Sequence, residues 1–401
     1  MMNIGVVVDN ELNDDKRVLR EISILQEKGY KIHALCFGFD GKQYPKIEGV
    51  NVTRIRISRK LKNTLFFFQN TIPLYEWFWI SEIKKFILLN GIGLIHAHDL
   101  YMSKAAYTGI KKSKKDIPLI LDLHENYPYA VQTYNWTKGI LRSLISKPGR
   151  WSRLEKEYLG YADRVIVLSP EFGEELVSRY DFITPSRVYS FPNVPDLKQS
   201  ENFVTDRTRL KFEKKGPVIF YFGVVAERRG IFEALEAFAE IIKEGIKPQF
   251  LIIGPIDKKD KERFLSYLNT PHLSDLIIYI PWIDLEELNL YLDLSDICLA
   301  PFLKNPQHES GVANKIYDYM LGSRAIVASD CKPQKNLIEQ YSCGLVYRNR
   351  EELKHCLMAL LENKELRKTM GENGYKAVIS HFNTDTVRDD LLKCYQEVLK
   401  K

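Results

Sequence analysis

The chain reads as an α/β protein of two lobes, each a parallel sheet covered by helices on both faces. Three observations carry this. Its 401 residues exceed the size at which one core keeps growing. Short, strongly apolar runs alternate with helical segments along the chain, as buried parallel strands do. The alternation stops once, in a polar stretch after Phe191-Pro192-Asn193-Val194-Pro195-Asp196, and begins again after Gly216-Pro217.

The first lobe opens with a strand over 4–8 and a helix bearing Val18, Ile22 and Leu25 on one face. Gly29 stops that helix, and a strand over 31–37 follows. Further strands are predicted at 93–98, 118–123, 164–168 and 187–191. The second run has strands at 218–222, 249–253, 276–280, 297–300, 325–329 and 344–347. The last segment, 384–401, repeats Val387, Leu391 and Tyr395 at helical spacing. No internal repeat of about 20–50 residues is present. The expected organisation is two Rossmann-like lobes facing across a central cleft. Residues 1–196, completed by 384–401, form the first, and 217–383 form the second. In such sheets ligands lie beyond the carboxyl ends of the strands, so the residues just after each strand carry the functional argument.

Composition excludes several classes. With 45% hydrophobic and 27% charged residues the chain is neither disordered nor fibrous. The aromatic run 72–80 is cut by Glu76 and is too short to span a bilayer. The start is a strand without signal-peptide features, and the six cysteines form no Cys-x-x-Cys pair. A cytoplasmic protein is expected. The net charge of +6 is uneven, since residues 1–200 hold 29 Lys and Arg against 22 Asp and Glu. That bias suits solvated surface, an anionic acceptor or an anionic membrane face. No nucleic-acid motif accompanies it, so no nucleic-acid partner is expected.

In the second lobe, Gly223 ends a strand and Arg229-Gly230 leads into a helix, where a guanidinium can pair with phosphate oxygens. The segment Glu309-Ser310-Gly311-Val312-Ala313-Asn314-Lys315 places a small-residue loop before a helix start, which suits an anion. Lys315 and Asp318 share a helix face, as a diphosphate contact and a ribose contact or simply as an exposed ion pair. In the first lobe, Asp9-Asn10, Asp15, Arg17, Asp99 after His96-Ala97-His98, and Asp122-Leu123-His124-Glu125-Asn126 lie at or near strand ends. A metal held by these His and Asp residues is possible, but no second ligand pair at fixed spacing supports one, and no metal or other cofactor is expected.

Asn314-Lys315-Ile316-Tyr317-Asp318-Tyr319-Met320-Leu321-Gly322 and Ile326-Val327-Ala328-Ser329-Asp330 resemble the donor-binding helix and following strand of glycosyltransferase family 4, the retaining transferases of the GT-B fold. Leu251-Ile252-Ile253-Gly254 and Trp282-Ile283 through Asp296-Ile297-Cys298-Leu299-Ala300-Pro301 follow the same order. The resemblance implies transfer of a sugar from a nucleotide-diphosphate donor, UDP by default, to a glycan or lipid-linked acceptor in polysaccharide or glycoconjugate synthesis. It implies that Gly223, Arg229, Gly254, Glu309, Ser310, Gly311, Val312, Ala313, Lys315 and Asp318 hold the donor, with backbone near Trp282 and Ile283 reading the base. It places His124 against the donor sugar and phosphate, so His124, Arg229 and Lys315 are the catalytic candidates. Asp9, Asn10, Asp15, Arg17, Asp99, Glu125 and Asn126 are the acceptor candidates.

Three positions depart from the family wording: Val224 replaces a cation, Asp318 replaces a Glu, and Glu309 falls one place off the expected acid, leaving Ser310 in that register. Two other readings stay open, a nucleotide-sugar epimerase of similar fold and an inactive binding partner. The aromatics and cations from Lys60 to Lys85 suit an interfacial surface or a core helix, and 129–150 is expected to be a mobile acceptor loop.

Overall fold

The computed structural model describes residues 2–197 and 204–400. The chain divides into two compact units, Met1–Pro192 with Arg388–Lys401, and Asn193–Val387. Residues 193–196 and 384–387, assigned to the first lobe from sequence, therefore fall in the second. They are tied there to each other, since the backbone N–H of Thr384 donates to Pro195 O at 3.2 Å. Part of the polar stretch between the lobes, 198–203, lies outside the described residues.

Among the described residues the first unit has a seven-stranded sheet. Its strands are β1 (Asn3–Val7), β2 (Lys31–Phe39), β3 (Val50–Ile57), β4 (Leu94–His98), β5 (Leu119–Asp122), β6 (Arg164–Val167) and β7 (Val188–Ser190), in the order β3-β2-β1-β4-β5-β6-β7. Every pairing is parallel. Strand alternation sorts the side chains. On β4, Ile95 and Ala97 enter the large apolar core with Trp79, Ile83 and Phe86 of the helix Leu74–Asn90. His96 and His98 face the other way, toward the helix Lys16–Glu27 and the C-terminal helix Thr384–Leu399. The expected apolar face of the helix Lys16–Glu27 is present, with Val18, Ile22 and Leu25 buried, and Gly29 follows at φ 89°.

β3 is absent from the sequence-based elements. Its wording, Val-Asn-Val-Thr-Arg-Ile-Arg-Ile, alternates with polar residues because it is an edge strand with one neighbour and one wet face. The segment 129–150 also differs from the mobile loop expected of it. It is occupied mainly by short helices, including Tyr127–Thr133 and Ile140–Ser146. Thr137, buried between them, donates its hydroxyl to Val131 O at 2.8 Å.

The second unit has six parallel strands among the described residues: β8 (Val218–Phe222), β9 (Gln249–Ile253), β10 (Ile277–Ile280), β11 (Ile297–Ala300), β12 (Ala325–Ser329) and β13 (Gly344–Tyr347). The order is β10-β9-β8-β11-β12-β13. Ile219, Ile252, Leu299 and Val327 pack with Leu235 and Phe238 of the helix Ile231–Lys243 on one face. The order reverses at β1 beside β4 in the first unit and at β8 beside β11 in the second. Crevices at the carboxyl ends open at those points.

Candidate functional site

At the carboxyl end of β8 the chain turns through Gly223 at φ 136°, and beyond β9 through Gly254 at φ 141°. These turns are packed backbone to backbone. A Cβ on Gly254 would sit 2.2 Å from Gly223 O, and one on Gly230 would sit 1.4 Å from Pro301 O. Only glycine fits, and the two loops and the helix Ile231–Lys243 start therefore lie against the end of β11.

Into this place comes Lys315, from the second position of the helix Asn314–Leu321. Its Nζ stands 3.8 Å over the Tyr221 ring and 5.1 Å from the Phe302 ring centre. The guanidinium carbon of Arg229 is 5.1 Å from the same Phe302 ring. The Lys315 ammonium is buried and has no hydrogen-bond partner. Burial, reinforced by Arg229, pulls it well below the usual lysine range, and burial with Arg228 lowers Arg229. Ala313, which precedes the helix, supplies no side-chain cap, so the helix start adds free N–H character to the same region. Two cations share an aromatic ring here; Asp318 acts on Lys315 from one turn away, but among the described residues no carboxylate forms an ion pair with its Nζ. Such an arrangement fits a multiply charged anion.

Phe302 and His308 were not among the sequence candidates. His308 rests its ring on Phe302 at 4.7 Å and holds Leu303 O through Nδ1 at 2.7 Å. Burial chiefly lowers its pKa to about 4, so it is neutral. The only sequence signal for Phe302 is its place directly after Pro301, where β11 ends.

The loop 309–313 lies at the same helix start, but its polar side chains are engaged. Glu309 accepts the backbone N–H of Lys332 at 3.1 Å, capping the helix Lys332–Tyr341. Ser310 is buried and donates to Gln307 O at 2.7 Å. Gly311, Val312 and Ala313 are half-buried and present mainly backbone. Asp318 lines a cavity of about 260 Å³ with Leu288, Asn289, Leu292 and Arg324, and its charge also acts on Lys315 one turn before it. Trp282 is 67% exposed, whereas neighbouring Ile283 is buried.

The first-unit candidates sort differently. Arg17, expected to touch an acceptor, is turned inward. Its Nε and Nη2 donate to the two oxygens of buried Asp122, each at 2.8 Å, and Nη1 donates to Phe191 O. This corrects the sequence assignment, for the guanidinium is taken up by buried structural carboxylates, Asp122 and Glu21, the latter at 3.3 Å from Nε. Asp15 caps the helix Lys16–Glu27 by accepting from Val18 N at 3.2 Å. Asn10 is spent on the preceding turn, donating to Asp15 at 2.7 Å and accepting from Leu12 N at 2.7 Å. Asp9 is buried, accepts from Tyr75 and pairs with Lys62 Nζ at 3.2 Å. Asn126 is buried at the start of the helix Tyr127–Thr133.

Asp99, His124 and Glu125 remain together at the carboxyl ends of β4 and β5. Asp99 holds φ 70°, a strained value for a side-chain-bearing residue, fixed by its N–H donating to Asp122 O at 2.8 Å. His124 has Nε2 within 3.0 Å of His98 Nδ1 and 3.3 Å of Asp122 Oδ2. Burial opposes its charge, yet Asp99 and Asp122 outweigh that and raise its pKa to about 9. Burial lifts Glu125 to about 7, although it accepts a hydrogen bond from Tyr134.

Behind them, Glu21, His96, His98 and Asp122 are all buried, with one possible metal-ligating atom each lying within 4.8 Å of the others. Three of the four, His96, His98 and Asp122, are among the His and Asp residues weighed from sequence; Glu21, which comes from the helix Lys16–Glu27, is not.

Comparison with known proteins agrees with both units. The family described as Glycosyltransferase Family 4 matches residues 16–199, and that described as Glycosyl transferases group 1 matches residues 202–377. An alpha-D-kanosaminyltransferase of Streptomyces kanamyceticus is 22% identical over 80% of this chain and 81% of its own. The capsular polysaccharide biosynthesis glycosyltransferase CapM of Staphylococcus aureus is 22% identical over 51% of this chain and 53% of its own. Sucrose-phosphate synthase from Thermosynechococcus elongatus superposes with a TM-score of 0.73 at 19% identity, covering 100% of both chains. Anabaena HepE, solved in complex with UDP, superposes with a TM-score of 0.72 at 13% identity, covering 99% of this chain and 100% of its own. Fold and sequence together define a glycosyltransferase of the GT-B fold. The two family models, one on each unit, and the glycosyltransferase relatives together support a family 4 glycosyltransferase.

Proposed function

We propose that the enzyme transfers a sugar, with retention of anomeric configuration, from a nucleotide-diphosphate donor held by the second unit, with UDP as the default carrier. The observation that carries this is the partnerless, buried ammonium of Lys315 beside Arg229. A diphosphate supplies the charge that this pair lacks. As the sugar–phosphate bond breaks, negative charge grows on the leaving diphosphate, and cations already fixed in place stabilise it without reorganising. Ile283 backbone and exposed Trp282 are assigned to the base, Asp318 to the ribose, and His124 to the donor sugar and phosphate. HepE was solved with UDP, which supports the default carrier.

The acceptor is proposed to be a glycan or lipid-linked molecule in cell-surface polysaccharide or glycoconjugate synthesis, a reading supported by the name of CapM. Among the described residues no helix is long and apolar enough to cross a membrane. Peripheral attachment of a cytoplasmic enzyme to an anionic membrane is supported by the helix Ile140–Ser146. It exposes Ile140, Leu141 and Leu144 among Lys138, Arg142 and Lys147. Hydrolysis of UDP-, GDP- and ADP-sugars followed by mass spectrometry tests the donor assignment. Donor turnover that survives both Arg229→Ala and Lys315→Ala would sink it.

A further inference from the structure

The buried group behind His124 has the composition of a metal site and four atoms in want of partners. Both carboxylate oxygens of Glu21, Nε2 of His96 and Nε2 of His98 make no hydrogen bond. A cation, however, is already inside it. Arg17 Nε lies 3.3 Å from Glu21 and 2.8 Å from Asp122, and the guanidinium grips Asp122 with two bonds. A divalent ion among these ligands would meet Arg17 at short range. The group is therefore better understood through what its members touch.

Those contacts form a row ending at His124. Tyr395, from the C-terminal helix, meets His96 Nδ1 at 2.7 Å. The His96 ring lies 4.3 Å from that of His98, and Glu21 Oε2 lies 3.7 Å from His96 Nδ1 and 3.8 Å from His98 Nε2. His98 Nδ1 then meets His124 Nε2 at 3.0 Å. Only one ring of that pair can donate in this contact. His98 is wholly buried and is kept neutral, first by burial, whereas His124 is 21% exposed in its side chain and carries the charge. His124 therefore donates through Nε2–H to His98 Nδ1, the shorter contact at 3.0 Å, with Asp122 Oδ2 beside both nitrogens, 3.3 Å from His124 Nε2 and 3.5 Å from His98 Nδ1. That places the His98 proton on Nε2, the nitrogen turned to Glu21.

We propose that His98, packed against the His96 ring and beside Glu21, is a positioning residue: by accepting the Nε2 proton of His124 it fixes that ring and leaves Nδ1–H to donate to the reacting donor. The proposal rests on the assignment of His124 to the donor sugar and phosphate. The other charged groups acting on His124 are Asp99 from the end of β4, Asp122 from β5 and Arg17 from the helix Lys16–Glu27, with Glu125 next in sequence. All four remain in a His98 variant, and because His98 Nδ1 also lies 3.5 Å from Asp122 Oδ2, the Asn variant is needed to restore an acceptor at that place.

The test compares His98→Leu, His98→Asn and His124→Ala with the unaltered full chain, each checked for native thermal unfolding, by donor turnover against pH. The Asn side-chain oxygen can take the place of Nδ1 as acceptor. His98→Leu is expected to lower kcat about tenfold or more at unchanged donor KM, with the alkaline limb of the profile about one pH unit lower. His98→Asn is expected to restore most of kcat and the limb. Wild-type kcat and profile in His98→Leu, with His124→Ala inactive, overturn the positioning role alone. Full activity in His124→Ala overturns the assignment of His124 beneath it. One equivalent of a transition metal in the purified chain, removed by a chelator together with activity, would overturn it in favour of a metal site. His98→Ala serves if His98→Leu does not fold, with the same limb shift expected and an unshifted limb counting against the positioning role.

Discussion

Replacing Lys315 by Met separates what its ammonium costs the fold from what it offers a ligand. Met keeps an unbranched apolar stem against Tyr221 and Phe302 and removes the charge. In the free protein the partnerless Nζ carries a desolvation cost of about 1–3 kcal/mol. Contact with the Tyr221 face offsets about 1 kcal/mol of it. The variant is therefore expected to be more stable by on the order of 1 kcal/mol. The pH dependence has a fixed sign. Because the folded pKa lies below the unfolded one, the unfolded chain binds more protons between the two values. The cost is full below the folded value, shrinks as pH rises through the window, and vanishes above the ordinary lysine value of about 10.4. Binding should move the opposite way. Loss of one charge-assisted hydrogen bond, worth about 1.5–3 kcal/mol, weakens a nucleoside diphosphate about 10- to 100-fold. Urea unfolding across about pH 6 to pH 10, with calorimetric titration of UDP, reads both effects. A variant that is less stable at the acid end and binds UDP as the parent does would show Lys315 to be a structural cation, and the donor-site argument would fail.

Other residues give sharper single outcomes. Gly230→Ala forces a Cβ against Pro301 O at φ 72°, so it should cost about 3 kcal/mol or more, read as a fall in the urea midpoint. Arg17→Met leaves Asp122 and Glu21 buried without their cation and should cost about 3–5 kcal/mol in the same measurement; a loss below about 1 kcal/mol would restore Arg17 as a surface residue. Trp282→Ala, at an exposed position, should leave stability within about 0.5 kcal/mol of the parent while weakening UDP in calorimetry; unchanged affinity would remove Trp282 from the base site. Vesicles containing anionic lipid should sediment the enzyme at low salt, and Leu141→Asp with Leu144→Asp should abolish this, since both side chains stand in solvent. Failure of the parent to sediment would remove the membrane proposal.

How far the sequence could be read depended on how local each signal was. The strands stood out because a strand buried on both faces is an unbroken apolar run, as in Val218–Phe222 or Gln249–Ile253. β3 did not, because Arg54 and Arg56 interrupt its apolar residues on the wet face of an edge. The segment around Lys315 and Arg229 drew notice through glycines and cations close to one another in sequence. The row from Tyr395 through His96, Glu21 and His98 could not, since its hydrogen bond between Tyr395 and His96 spans 299 residues and no short pattern encodes it.

Arg17 shows the same limit from the other side. A cation just inside a helix start, a few residues after a strand, has the address of a ligand contact, and only its fellow residues decide otherwise. Asp122 ends β5, two strands from β1 in the sheet, and parallel pairing carries its carboxylate under the helix Lys16–Glu27. Once there, a buried carboxylate demands a counter-charge, and Arg17 is the one whose side chain satisfies both oxygens. The same pairing gives Asp122 a second use, because the oxygen facing Arg17 Nε also faces His124 at 3.3 Å. Arg17 thus bears on the site in two opposed ways: it keeps Asp122 ionised, which helps keep His124 charged, while its own positive charge lowers His124 directly. Its removal is therefore read as lost stability, because Asp122 and Glu21 stay buried without their cation.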